Sequence, residues 1–169
     1  MSIATKKRRM IVWLVGLSLL AIAGMQPGRV SAAPNAAPAI APLRLQSCTL
    51  PETVSTADEL YDCITAANAG SGGTITLGAN IELTSLTTPL PAISTEITIK
   101  GTGYAIDGGG MRIFDVAPVG TLTINLATLQ NGFANVGGAI FNDGGVVTIT
   151  NSTFSSNSAS RDGGAIFNF

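Results

Sequence analysis

A short apolar-Thr-apolar unit returns along this chain at a fixed distance. Ile97-Thr98-Ile99, Leu122-Thr123-Ile124 and Val147-Thr148-Ile149 are spaced by 25 and then 25 residues. A second unit returns with nearly the same step: Gly137-Gly138-Ala139-Ile140-Phe141-Asn142 reappears 26 residues later as Gly163-Gly164-Ala165-Ile166-Phe167-Asn168. In both copies an Asn, Asn131 or Asn157, stands six residues before the glycine pair. The period-two alternation marks each apolar-Thr-apolar unit as a strand with one buried face. A fixed period of this size means stacked units, each too small to bury its apolar side alone.

Each repeat has room for about three short strands joined by tight turns, which gives the cross-section of a parallel β-helix. The expected fold is therefore all-β, a right-handed parallel β-helix of about four coils. The coils are expected at 74–94 (irregular), 95–119, 120–145 and 146–169. Stacking at about 4.8 Å would align equivalent residues in files. Ile97, Leu122 and Val147 would form one inward file, and Ile99, Ile124 and Ile149 the next. Thr98, Thr123 and Thr148 would point outward. A leucine-rich repeat would need a leucine/asparagine consensus, which is absent. A β-sandwich would not require an unbroken sequence period.

Upstream of the repeats the pattern changes. Thr56-Ala57-Asp58-Glu59 fits a capping box, and Leu60, Tyr61, Ile64 and Ala67 follow at helical spacing. Asn68-Ala69-Gly70 ends the segment, which predicts one amphipathic helix over 57–68. Residues 47–73 are read as an N-terminal cap whose helix covers the open apolar end of the first coil. Covering matters because a bare strand edge invites further pairing. Cys48 and Cys63 are the only cysteines. Their pairing would contribute about 3 kcal/mol by loop entropy. The rival use, a two-thiol metal site, lacks His or further Cys to complete it.

The first nine residues hold Lys6, Lys7, Arg8 and Arg9, followed by an apolar run from Met10 to Met25. Val30-Ser31-Ala32 then offers small residues for cleavage. This is the layout of a secretory signal peptide over 1–32. Ala/Pro-rich residues 33–46 read as a linker. Only 11% of the chain is charged. Beyond residue 30 four basic residues face ten acidic ones, a net of −6. That balance excludes nucleic acid as a partner, since its phosphates need clustered Lys and Arg. The mature chain is expected to be exported, extracellular or at the cell surface, without a membrane span.

The run Val147-Thr148-Ile149-Thr150-Asn151-Ser152-Thr153-Phe154, with N-x5-GGAIFN after it, resembles the polymorphic outer membrane protein repeat. That repeat couples a GGAI element to an FxxN element, here Phe154-Ser155-Ser156-Asn157. In the preceding coil Leu129-Gln130-Asn131 matches less well. Cys63-Ile64-Thr65-Ala66-Ala67-Asn68-Ala69 with Gly73-Thr74-Ile75-Thr76-Leu77 is similar to the N-terminal cap of CSLREA-type secreted β-helix proteins. Ile106-Asp107-Gly108-Gly109-Gly110 is similar to a turn of theirs. Leu60-Tyr61-Asp62-Cys63 departs from the Leu-Arg-Glu-Ala run of that cap. The resemblance implies a pectate-lyase-like solenoid at the cell surface or outer membrane, adhesin-like or structural.

No His occurs in the chain, which removes the commonest general base and metal ligand. No cofactor, metal or catalytic residue is expected, and the chain is not expected to be an enzyme. Asp107, Arg112, Asp115, Asp143, Arg161 and Asp162 are the candidates for polysaccharide lysis or hydrolysis, the alternative function. Asp107, Asp143 and Asp162 flank glycines, where Asp is a turn former. The Thr98/Thr123/Thr148 face, with Thr150, could order water, although Thr is also a good strand former. Asn131/Asn157 and Asn142/Asn168 are expected to stack as ladders. Phe141 and Phe167 would stack one coil apart or present a contact surface. The repeat residues Gly137, Gly138, Ala139, Ile140, Gly163, Gly164, Ala165, Ile166, Asn131 and Asn157 are the expected structural signature. Calcium-binding nonapeptides would need a GGxGxD run, and none is present. Because the last repeat stands at the chain's end, the sequence reads as a truncated product or a fragment of a longer solenoid. Further coils could then dock on its C-terminal edge. A surface or carbohydrate partner is expected but not identified.

Overall fold

The computed structural model describes residues 48–169. The expected signal peptide (1–32) and linker (33–46) lie outside the described residues. The first elements are β1 (Glu52–Val54), α1 (Ala57–Ala69), β2 (Gly73–Leu77), β3 (Ile81–Glu82) and a 3-10 turn at Leu83–Ser85. Then come β4 (Glu96–Lys100), β5 (Ala105–Asp107), β6 (Phe114–Val116), β7 (Thr121–Asn125) and β8 (Thr128–Gln130). The chain ends with β9 (Phe133–Val136), β10 (Ile140–Asn142), β11 (Val146–Thr150), β12 (Thr153–Ser155), β13 (Ser158–Asp162) and β14 (Ile166–Asn168).

All strand pairs are parallel, and none joins neighbours in sequence except β1 with β2 across the helix. The sheet orders are β1-β2-β4-β7-β11, β3-β5-β8-β12, β6-β10-β14 and β9-β13. Each sheet takes one strand from each successive coil, which makes the fold an all-β parallel solenoid. The expected files form. Ile97, Leu122 and Val147 are paired in register, as are Ile75, Ile99, Ile124 and Ile149. A third file runs Ile81, Ile106, Leu129, Phe154. A fourth runs Phe114, Ile140, Ile166. Ile75, Ile97, Ile99, Leu122, Ile124, Ile106, Leu129, Phe114 and Ile140 are fully enclosed. Alternation along each strand puts these side chains inward and leaves Thr98 and Thr123 half-exposed on the other face.

Turn length varies while strand register holds. Thr121 pairs with Val146 at a step of 25, and Ile140 with Ile166 at a step of 26. The difference is one extra residue in β13, where the register shifts between Ala159 and Asp162. This bulge accounts for the two periods seen in the sequence.

The cap differs in detail from its sequence reading. It contributes a strand, β1, that the sequence did not announce, and β1 starts the five-stranded sheet. Thr56 Oγ1 accepts the Glu59 N–H at 3.2 Å, as a capping box requires. Glu59 reaches back to the Ser55 N–H at 2.8 Å, one residue earlier than in the standard box. Leu60, Cys63, Ile64 and Ala67 are buried in the common core, while Tyr61, expected on that face, is half-buried at its margin. Cys48 and Cys63 are disulfide-bonded, with Cα atoms 5.0 Å apart. Asn68 fixes the irregular part of the first coil. Its Nδ2 donates to Ala92 O at 2.7 Å, and its Oδ1 accepts the Ser94 N–H at 3.0 Å.

Candidate functional site

The outer surface carries the polar groups singled out in the sequence, and the coil turns decide where each falls. Asp107 ends β5. One carboxylate oxygen accepts from Gln130 Nε2 at 2.9 Å and Asn131 Nδ2 at 2.7 Å, both in the next coil. The other accepts the Gly109 N–H at 2.9 Å, closing the glycine turn. Burial pushes its pKa up, but the hydrogen bonds from Gln130, Asn131 and Gly109 outweigh this, holding the carboxyl below its ordinary value of 3.8. The site therefore favours the ionised carboxylate, the reverse of what a general acid needs.

Arg112 and Asp115 lie together near β6 and form an ion pair. The guanidinium also donates from Nε to Gly137 O at 3.2 Å and from Nη2 to Val136 O at 2.9 Å. It lies 5.0 Å from the centre of the Phe141 ring. Phe141 in turn stacks on Phe167, with centroids 5.8 Å apart and planes 11° from parallel. Register places Asp115, Phe141 and Phe167 in one outward file. So Arg112 works as a clamp: it ties one coil to the next through carbonyls and closes the lower end of an aromatic stack. Each of its three nitrogens donates to a partner within the chain. Asp143 is exposed in the turn before β11, and Arg161 and Asp162 are exposed at the end of β13; among the described residues none of them bonds to Asp107. Among the described residues no group of three His, Cys, Asp or Glu side chains is placed to hold a metal ion.

The repeat motif folds into a defined piece of one coil. Phe154 stands above Leu129 in an inward file. Gly137 and Gly163 both hold left-handed φ, 59° and 62°, a region that favours glycine. Gly138, Ala139 and Ile140 are buried beneath the equivalent residues of the following coil. The Asn142/Asn168 ladder forms, with Asn142 Nδ2 donating to Asn168 Oδ1 at 2.6 Å. The Asn131/Asn157 ladder does not. Asn131 is opposite Ser156, and Asn157 sits above Gly132, because the extra residue of β13 lies between the Asn and the glycine pair. Asn157 bonds backbone instead, accepting the Gly132 N–H at 2.8 Å and donating to Leu129 O at 2.9 Å. Equal spacing to the glycines concealed this shift of register.

The Thr file is four residues high, from Thr74 through Thr98 and Thr123 to Thr148. Its neighbour reads Thr76, Lys100, Asn125, Thr150, so the outward face is not a regular threonine lattice. A shallow recess beside the disulfide is lined by Glu52, Glu59 and Asp62. Glu59 is already engaged by the helix cap.

The family model of the Chlamydia polymorphic membrane protein repeat matches residues 151–168. The matched stretch is the last coil from the turn before β12 to the end of β14, and it contains both the FxxN and the GGAI elements. The repeat resemblance thus stands on this coil. No curated protein and no solved structure matches the chain. Among the described residues no helix is long and apolar enough to cross a membrane.

Proposed function

We propose that the chain is an exported cell-surface scaffold, a right-handed parallel β-helix that displays its outer faces and turns to a partner, in the manner of an adhesin, without chemistry of its own. The observation that carries this reading is the commitment of its polar side chains to holding coils together. Asp107, Arg112, Asn157 and Asn142 each bond to an adjoining coil. The match to a membrane protein repeat over 151–168 supports a surface location. The right hand follows from the strong preference of parallel crossovers. The N-terminal charge pattern supports export through a cleaved leader.

The test is expression of the full chain, with a C-terminal tag, in a Gram-negative host. Mass analysis should find a product starting after Ala32, and a membrane-impermeant reagent should label the tag on intact cells or in the medium. A product retained uncleaved in the cytoplasm overturns the reading. A screen for polysaccharide degradation addresses the catalytic half: turnover that Asp107→Asn abolishes would convert the scaffold into an enzyme.

A further inference from the structure

Asp107, Arg112, Asn142 and Asn157 use their polar atoms to hold coils together. A cleft at the cap end of the solenoid is lined differently. Between β3 and Ile93 the first coil makes only a 3-10 turn, where the third and fourth coils place β9 and β13. This irregular segment faces the margin of α1 and leaves an open cleft of about 320 Å³. Asp58 and Tyr61, neighbours on one face of α1, form one wall; Ser85, Leu86, Thr87 and Thr88 form the other. Tyr61 and Leu86 are half-buried against the core and supply the apolar part of the lining. Asp58, Ser85, Thr87 and Thr88 are exposed. Ser85 Oγ makes one long bond, to Glu82 O at 3.4 Å, and Tyr61 is engaged through its carbonyl by Thr65. Among the described residues, no side-chain hydrogen bond engages the Asp58 carboxylate, the Tyr61 hydroxyl or the hydroxyls of Thr87 and Thr88.

The irregular segment is fixed before any ligand arrives. Leu83 and Leu90 are buried on either side of it, and the Leu86 N–H donates to Leu83 O at 2.9 Å. Pro89 and Pro91 lock their own φ, and Pro89 restricts Thr88 to extended backbone. Asn68 ties the far end of the segment to α1. A site held in place in advance loses less freedom on binding.

The chemistry of the walls selects the ligand. The Asp58 carboxylate accepts hydrogen bonds, and the hydroxyls of Tyr61, Ser85, Thr87 and Thr88 both donate and accept. The Tyr61 ring and Leu86 add an apolar surface. A sugar ring matches that combination, with C–H groups on one face and hydroxyls around its rim. Charge narrows the class. From Cys48 to Ile99 the sequence has six acidic residues and no basic one, so an anionic ligand is repelled. A quaternary ammonium would suit Asp58 and the Tyr61 ring but would leave the hydroxyls without partners. The volume falls at the small end of ordinary ligand sites, which begin at about 300 Å³, and suits the end of a glycan better than a long stretch of it.

We infer that the cleft between α1 and residues 85–88 binds a neutral sugar at the end of a glycan, with Asp58 accepting its hydroxyls and Tyr61 and Leu86 packing against its apolar face. The inference deepens the scaffold reading by giving it a ligand class, and it rests on that reading for the display of the cleft at the surface.

The test is an amide NMR titration of the purified full chain with maltotriose, lactose, chitotriose and mannotriose, each to about 10 mM, a range that captures millimolar affinity. At least one of them should shift the amides of residues 58–62 and 85–88 to saturation. Asp58→Asn should weaken binding of that sugar by about tenfold, because its hydroxyls lose a charged acceptor. Tyr61→Phe, which keeps the ring and removes the hydroxyl, should weaken it by about threefold. Unchanged amide signals in β4 and β7 establish that both variants keep the fold. A cleft that none of the four sugars shifts overturns the inference. So does a response to choline in place of sugar, a set of sugar-induced shifts confined to other turns, or equal affinity in Asp58→Asn and the native chain. Retention of the chain in the cytoplasm counts against export alone, whereas a silent cleft in an exported chain counts against this site alone, so the two failures are distinguishable.

Discussion

Asp107 shows how a residue of catalytic type is put to structural use. Three donors converge on its carboxylate, two of them from the following coil. Because its folded pKa is depressed, its contribution to stability is present above the unfolded value and lost as pH falls through the folded one. Asp107→Asn places an amide N–H against one of these donors at any pH. The variant should be less stable by about 1 kcal/mol at neutral pH. The gap between it and the native chain should stay level down to about pH 5 and close below about pH 4, as the native carboxylate takes up its proton. Thermal midpoints of both chains from pH 2 to 8 would show this; a gap that widens in acid would mean that the carboxyl is held protonated. The sequence allowed the turn to be recognised, because Asp before three glycines has few other uses. It could not show that Gln130 and Asn131 would be the donors, since that depends on a step of 23 residues between β5 and β8, shorter than the repeat itself.

Among the elements, α1 departs furthest from the repeat and does a separate job. Its Thr56 cap fixes where the helix begins, and the disulfide from Cys63 fixes where the incoming chain leaves it. Thr56→Ala should cost about 1 kcal/mol, read from the denaturation midpoint of the oxidised chain. Reduction should cost more, about 3 kcal/mol by loop entropy, and should act on the cap before the coils. Near-ultraviolet signals from Tyr61 should then change at lower denaturant than the amide signal of the sheets. Coincident transitions would mean that cap and coils unfold as one unit. The helix was legible because four apolar residues at helical spacing follow a capping box. β1 was not: Glu52–Val54 is three residues long, shows no periodicity of its own, and becomes a strand only because β2 offers it an edge. The inward files were legible for the opposite reason, since Ile99, Ile124 and Ile149 repeat at one step and a strand slip of one residue would turn each of them outward. The misplaced Asn131/Asn157 pair marks the limit of that logic. Two equal spacings look like a ladder unless one knows which residue the bulge absorbs.

A stack in which each coil touches mainly its neighbours should lose structure from whichever end is least covered. Here the difference between the ends is large. The first coil is paired to β1, overlaid by α1 and tied by Asn68 and the disulfide. The last coil is paired on one side only, and its inward residues Val147, Ile149, Phe154 and Ile166 are partly in water. The coils between them bury complete files on both sides. Opening the last coil breaks pairings on one side only, whereas opening β7 first would break pairings with both β4 and β11. Native-state hydrogen exchange should therefore be graded along the sequence. The amides of β11 to β14 should exchange through local opening, with free energies well below global stability, and those of β4 and β7 only through global unfolding. Ile124→Ala, in a fully enclosed file, should lower global stability by about 3 kcal/mol. Ile149→Ala, in the same file but at the open end, should cost about 1 kcal/mol or less, since much of its side chain is hydrated already. Equal costs at the two positions would mean that the last coil is as well covered as the interior, by self-association of the chain in solution, and sedimentation at the same concentration would reveal it.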